Sequence, residues 1–264
     1  MMGGINLKAP RIIATIAMSL CTGAISWLGL FSAQAATSIS GTHGVPLSRR
    51  FPKGLASEIK VHSKIPVALP RSFILDSPMA TPGYGLALDY SASEKQYSMN
   101  IFERPKGSKT DGWSMATLVG LVESTTNLNQ FDVSKWFTKR RNMGDSHKKI
   151  VLSGHVRAIE FSSLRNNTYN KRILWSDSKW HYVADGIDAY QAETGKMANT
   201  IAKFVSQHGS IVPRARQGYV EALWAGNRPD FTVLWTYNGK EWYVIQMSTL
   251  SGTLSTAHTA HIVK

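Results

Sequence analysis

The 264-residue sequence predicts an α+β protein: mainly antiparallel sheet with one or two packed helices, and a βββα unit used twice. Three observations carry that expectation. Short runs of alternating apolar residues recur between polar turns, the pattern of half-buried strands. The stretches "RILWSDSKWHYVADG" and "TVLWTYNGKEWYVIQ" both read as two aliphatic residues and Trp, a polar turn, then Trp and Tyr-Val. The first is followed by Met197, Ile201, Phe204, Val205 and His208, one stripe at helical spacing.

Residues 1–35 read as a secretory signal. Lys8 and Arg11 supply a positive start, residues 12–31 are apolar or small, and Ala33-Gln34-Ala35 is a small-x-small cleavage pattern. Cleavage is expected after Ala35, giving a secreted or envelope-associated chain. The apolar run is also long enough to span a bilayer, so membrane attachment would come only through an uncleaved signal. Cys21, the one cysteine, lies inside this segment behind a Leu too large for a lipobox. The mature chain therefore has neither disulfides nor thiolate metal sites.

Residues 36–58, rich in Ser, Gly, Thr and Pro and carrying "LSRRFPKG", read as a flexible basic leader, with order starting near Ile59. Residues 59–145 form an N-terminal α+β part. In it "KIPVALP" is extended, because a proline turns its predecessor away from helix. Tyr84, Leu86, Leu88 and Tyr90 alternate, as do Tyr97, Met99 and Ile101, which predicts a hairpin across "SASEK". "WSMATLVGLVEST" suits strand or helix. "DVSKWFTKRRNMG" predicts a helix capped by Asp132, with Val133, Trp136, Phe137 and Arg140 at helical spacing and Gly144 past its end.

Residues 146–209 are the first Trp-hairpin unit. "HVRAIEF" is a strand, the Trp hairpin follows, and Asp188 with Gln191 makes a capping box for a helix that Gly209 ends. Residues 210–264 repeat the order. "YVEALW" matches "HVRAIE", Asn238-Gly239 is a strong hairpin signal, and "LSTAHTAHIVK" is a short terminal helix. Ala257-His258-Thr259 then falls where Ala198-Asn199-Thr200 falls in the first unit.

Two-residue turns at Asp177-Ser178 and Asn238-Gly239 would set Trp175 opposite Trp180 and Trp235 opposite Trp242, each pair on one side of the sheet. Tyr243 and Leu234 would then face the other way. These aromatics have two uses. As core they supply the bulky contacts that a sheet without disulfides needs, and most of the four tryptophans are expected to be at least half buried. As a surface, Trp175, Trp180, Tyr182, Trp235, Trp242 and Tyr243 are the candidate ligand-stacking residues.

Without Lys8 and Arg11 the chain has twenty-eight basic residues against seventeen acidic ones, near +11. Outside a cell this favours an anionic wall polymer, a glycan or an envelope protein as partner, and no nucleic acid. The candidate anion-binding patch is Lys135, Lys139, Arg140, Arg141, Lys148 and Lys149. Catalytic patterns are thin. Gly112-Trp113-Ser114-Met115-Ala116 approaches the nucleophile-elbow motif but follows a loop, and Ser146-His147-Lys148-Lys149 lacks the companion motifs of S-x-x-K enzymes. His258 and His261 lack a third ligand for a metal. His155 and His181 sit in strands as structural histidines, and Asp185 and Asp188 flank a turn and a helix start. No catalytic residue, metal or cofactor is expected.

"ILWSDSKWHYVADG" followed by "GKMANTIAKF" resembles uncharacterised extracytoplasmic domains of Gram-positive bacteria, in which a Trp strand, a Tyr strand and an "mAnS"-like helix follow one another. The resemblance covers about residues 150–204. It implies a binding or sensing module and brings no catalytic residues. The expectation is a secreted, non-catalytic binding module for an anionic or glycan component of the bacterial cell envelope. Alternatives are a protein-interaction or sensor domain of an envelope regulatory system, and a serine hydrolase using Ser114 or Ser146.

Overall fold

The computed structural model describes residues 39–45, 51–73, 84–105, 113–122, 137–138, 146–165, 168–225 and 228–263. The signal segment and Lys135, Lys139, Arg140 and Arg141 lie outside them. The described chain runs β1 (Ile39–Val45), α1 (Leu55–His62), β2 (Ala68–Pro70), β3 (Tyr84–Ser93), β4 (Gln96–Pro105) and β5 (Trp113–Val122). It continues with β6 (Ser146–Leu152), β7 (Val156–Arg165), β8 (Thr168–Ser176), β9 (Trp180–Ile187) and α2 (Gln191–His208). It ends with β10 (Gln217–Ala225), β11 (Arg228–Thr236), β12 (Glu241–Met247), α3 (Leu250–His258) and β13 (Ala260–Ile262).

Eleven strands form one sheet in the order β1-β3-β4-β5-β12-β11-β10-β9-β8-β7-β6. Every neighbouring pair is antiparallel except β9 and β10, which run parallel. That junction is the one across which α2 returns the chain, and a helical crossover is what parallel neighbours require. The fold is α+β, as expected. The order strand-strand-strand-helix occurs twice, as β7-β8-β9-α2 and β10-β11-β12-α3. Among the described residues no helix is long and apolar enough to cross a membrane.

One sheet face is apolar and lies under the helices. It is built from Ile173 and Trp175, Tyr182 and Ala184, Val220 and Ala222, Val233 and Trp235, and Tyr243 and Ile245. On α2, Met197, Ala198, Ile201 and Ala202 point into this core; Phe204 and Val205 are half-buried at its margin and His208 is exposed. Gly209 closes the helix at φ 74, with its N–H donating to Val205 O. The N-cap is Tyr190, not the expected Asp188: the helix starts after a 3-10 turn, Asp188–Tyr190, and Tyr190 makes no side-chain capping bond. Asn199 has a distinct role. Its Oδ1 accepts bonds from Ser153 N and Oγ at 2.9 and 3.0 Å, tying α2 to the corner between β6 and β7. The aligned His258 on α3 places Nδ1 3.2 Å from both Ser210 O and Ile211 O, in the segment leading to β10.

Three tyrosines anchor the small β2/β13 ribbon. Ala68 N donates to Tyr97 Oη at 2.8 Å, Tyr243 Oη donates to Pro66 O at 3.0 Å, and Tyr237 Oη donates to Ala260 O at 3.2 Å. Burial pushes all three phenols above their ordinary value.

Several expectations change. The leader supplies β1, paired with β3 over seven residues, and the start of α1. What orders β1 is the open backbone edge of β3, which side-chain patterning does not report, while Leu55 and Ile59 bury one face of α1. In "WSMATLVGLVEST" the described residues, Trp113–Val122, form the strand β5. The terminal segment is a helix followed by β13, so His258 and His261 share no helical face.

Both Trp hairpins are out of the expected register. In the first, Trp175 faces Tyr182, Asp177 N donates to Trp180 O, and the two-residue loop is Ser178-Lys179. Asp177 Oδ1 fixes it by accepting from Lys179 N and Trp180 N. In the second, Trp235 faces Tyr243 and Thr236 faces Trp242, around the loop Asn238-Gly239-Lys240 with Gly239 at φ 86. Asn238 Oδ1 accepts from Lys240 N and Glu241 N. A one-residue slip reverses a side chain's face. Trp242 therefore leaves the side of Trp235, and Tyr243 takes its place.

Candidate functional site

The six aromatic candidates are interior residues. Trp175 is 5% exposed, Trp180, Trp235, Trp242 and Tyr243 are 2%, and Tyr182 is 1%. The Trp175 and Tyr182 rings stack at 5.0 Å, and Trp235 and Tyr243 at 5.7 Å. The Tyr182 hydroxyl donates to Asp177 Oδ2 at 2.9 Å, which binds the ring to its own turn. A stacking surface needs open ring faces, so the reading of these residues as a ligand platform is corrected to core. The opposite sheet face is closed too around Leu174, Val183, Leu234 and Trp242. Phe137 stacks on His181 there at 4.8 Å.

That second face also carries a polar row. Asp89, Asn100, Thr117, Gln246, Thr232 and Glu221 are successive register partners across β3, β4, β5, β12, β11 and β10. Thr117 Oγ1 donates to Asn100 Oδ1 at 2.8 Å, and Gln246 Nε2 donates to both oxygens of Asp230 at 2.8 and 2.7 Å. Burial raises the Asp230 carboxyl above its ordinary value, against the lowering effect of the Gln246 bond.

Of the candidate basic patch, only Lys148 and Lys149 are described. Lys148 Nζ lies 3.0 Å from Glu160 Oε1, while Lys171 Nζ lies 3.0 Å from Oε2. Burial alone would raise the Glu160 carboxyl, but the bonds from Lys171 and Lys148 outweigh it and hold it below its ordinary value. Lys148 is thus engaged within the sheet, and Lys149 is exposed on the edge strand β6. Ser114 lies inside β5, with strand on both sides of it where a nucleophile elbow would turn into a helix. Ser146 Oγ donates to Ser162 O at 3.1 Å. Among the described residues no three His, Cys, Asp or Glu side chains are placed to hold a metal ion.

The acidic side chains are largely engaged within the fold. Asp89 pairs with Arg104, Glu94 with Lys64, Asp185 with Arg172 and Glu193 with Lys196. Glu58 accepts from the Tyr90 hydroxyl, and Glu241 from the Asn238 amide. Cations are left facing solvent, and one end of the sheet gathers four of them. Lys179 is in the β8–β9 turn, Lys240 is in the β11–β12 turn, and Arg214 and Arg216 precede β10; all four are exposed.

The backbone draws these three segments together. Gly218 N donates to Lys179 O at 3.0 Å, and Arg216 N donates to Thr236 O at 2.8 Å. Arg216 Nη1 then donates to Asn238 O at 3.2 Å, which lays its guanidinium beside the second turn. Arg214 is held unusually. Ala215 N donates to Val212 O at 3.3 Å, Pro213 follows Val212, and Arg214 has φ 66. Proline second and a left-handed residue third describe a type II turn, whose third position favours Gly or Asn. An arginine held there keeps backbone strain at the centre of the cation group.

Sequence reasoning missed this group because its members are far apart in the chain, and the parallel β9/β10 pairing that unites them leaves no local pattern. The readable signal was a lysine in each hairpin turn. Comparison with protein-family models, with curated proteins and with solved structures returns no match.

Proposed function

We propose that this chain is a secreted, non-catalytic binding module for an anionic component of the bacterial cell envelope. One observation carries the reading: among the described residues most carboxylates are held by hydrogen bonds or ion pairs within the fold, while Lys179, Arg214, Arg216 and Lys240 stand exposed together. Long-range attraction between such a group and a polyanion needs no apolar contact and is screened by salt. The signal-like start and the resemblance of residues 150–204 to extracytoplasmic domains support the envelope as the place. The glycan half of the original expectation loses its stacking residues to the core.

The experiment is co-sedimentation of the full mature chain with isolated Gram-positive cell walls across a salt series. Retention at low ionic strength that falls as salt rises is expected. Equal recovery in the supernatant with and without walls refutes the proposal. A second reading, a protein-interaction domain, draws on Leu164 and Tyr169. They are register partners near the β7–β8 turn and are 50% and 54% exposed. Crosslinking in envelope extract that returns no protein partner at Tyr169 would dismiss it.

A further inference from the structure

We infer that the cation row at the turn end of the sheet takes a linear polymer of repeated phosphate-type anions lying across the strand ends, and that it discriminates against single anions. This rests on the envelope-binding proposal and deepens it. The two turns that carry Lys179 and Lys240 are separated by the widths of β9, β10 and β11. Three strand spacings of about 4.8 Å put the turns roughly 14 Å apart. That span exceeds one phosphate group and fits consecutive charges of an extended chain.

Arg214 and Arg216 occupy the middle of the span, since they lead into β10, the central strand of the three. Arginine forks grip phosphate oxygens in two bonds, and the flanking lysines act as point charges. The acids nearest the row are Asp177, which accepts from two backbone N–H groups and from Tyr182, and Glu241, which accepts from Asn238; these neutral donors leave both charges in place, so the row sets four cations against two anions. A membrane surface is the other source of ordered phosphates. Among the described residues the exposed large hydrophobics are Val61, Val151, Leu164 and Tyr169, and none lies in the turn-end segments 177–179, 213–217 or 238–240. A surface that rests on lipid ordinarily inserts apolar side chains beside its cations, so the polymer is the occupant proposed.

The conformation of Arg214 gives the test a double readout. A glycine is at ease at φ 66, so Arg214→Gly removes a cation and relieves strain in one change. The experiment measures binding of the full mature chain to poly(glycerol phosphate), to glycerol phosphate at the same phosphate concentration, and to phosphatidylglycerol vesicles. Melting temperatures are measured alongside. The expected result is binding to the polymer, with the monomer failing to compete. Lys179→Gln with Lys240→Gln should weaken polymer binding by roughly tenfold or more. Arg214→Gly should also weaken it, with a melting temperature that is unchanged or higher. The inference is overturned if the monomer competes as well as the polymer, if vesicles are bound and the polymer is not, or if the variants bind the polymer like the parent. Wall retention that persists in those variants leaves the broader proposal standing and removes only this site. Loss of wall retention in the parent chain removes both.

Discussion

Replacing Gly218 with Ala tests the packing of the sheet where its two antiparallel halves meet. Gly218 on β10 is the parallel register partner of Trp180 on β9. A Cβ built on Gly218 falls 2.3 and 2.5 Å from Trp180 Cζ3 and Cη2, and 2.7 Å from Leu234 O. Ordinary contact begins near 3.4 Å, so the ring would have to move by about an ångström. It has little room to do so, because Trp180 is 2% exposed. The carbonyl belongs to β11, whose position is set by pairing on both sides. Overpacking of this kind costs about 1–3 kcal/mol, and a backbone atom among the neighbours places it toward the upper part of that range. For a unit of this size each kcal/mol lowers Tm by roughly 2–4 °C. Urea unfolding followed by tryptophan fluorescence should therefore show a lower midpoint at unchanged slope. Gly195→Ala is the matched control. Nothing lies within 4 Å of a Cβ there and the site is inside α2, so a gain of about 0.5–1 kcal/mol is expected. A Gly218→Ala protein as stable as the parent would mean that the Trp180 ring does not lie over this glycine.

Two further outcomes follow from buried polar groups. Arg172 donates through Nε and Nη2 to Asp185 Oδ2 at 2.8 and 2.7 Å, and the Asp185 side chain is 2% exposed. Arg172→Met should therefore cost about 3–5 kcal/mol, with most of it recovered in Arg172→Met/Asp185→Leu; equal losses in the single and double variants would contradict this account. Tyr97, Tyr182, Tyr237 and Tyr243 all have phenols raised by burial. A raised folded-state value favours the neutral phenol, so this stabilisation is complete below the ordinary phenol value of about 10 and drains away as pH climbs above it. The phenolate absorbance of these four should appear together with loss of far-UV dichroism in alkali, after that of exposed tyrosines such as Tyr169. Phenolate signal from all nine tyrosines in a chain that keeps its native dichroism would argue against burial.

The fold class was legible because its signals are local. Alternation marked β3, β4 and β7, and a helical stripe with Gly209 marked α2. Register was less legible. Both Trp hairpins were recognised, but loop length was inferred from dipeptides, while the real loops are fixed by side chains. Asp177 accepts from the backbone of residues 179 and 180, and Asn238 from that of residues 240 and 241. Those bonds slide each turn by a residue or less, enough to send Trp242 to the opposite face. The basic segment "DVSKWFTKRRNMG", whose expected helix lies outside the described residues apart from 137–138, stands out in the sequence because its charges are close together in the chain. The turn-end row does not, because strand pairing, a long-range property, assembles it from three places. In "GKMANTIAKF", Met197 and Ala198 are core residues, and Asn199 holds the β6–β7 corner, a contact that no local pattern announces.

The position of β12 makes it the keystone of the sheet. β12 lies between β5 and β11, and its register partners include Val122 on one side and Thr236 on the other. It is also the last of the eleven strands in chain order. Without it, β5 and β11 would each present an open row of backbone donors and acceptors, and the N-terminal meander β3-β4-β5 would have no neighbour to bridge it to the rest of the sheet. One seven-residue strand near the end of the described chain thus makes the two parts a single sheet. Truncation just before β12 would leave two separate sheets, β1-β3-β4-β5 and β11-β10-β9-β8-β7-β6, with facing sticky edges, whereas loss of an equally long edge strand would leave the remaining sheet continuous.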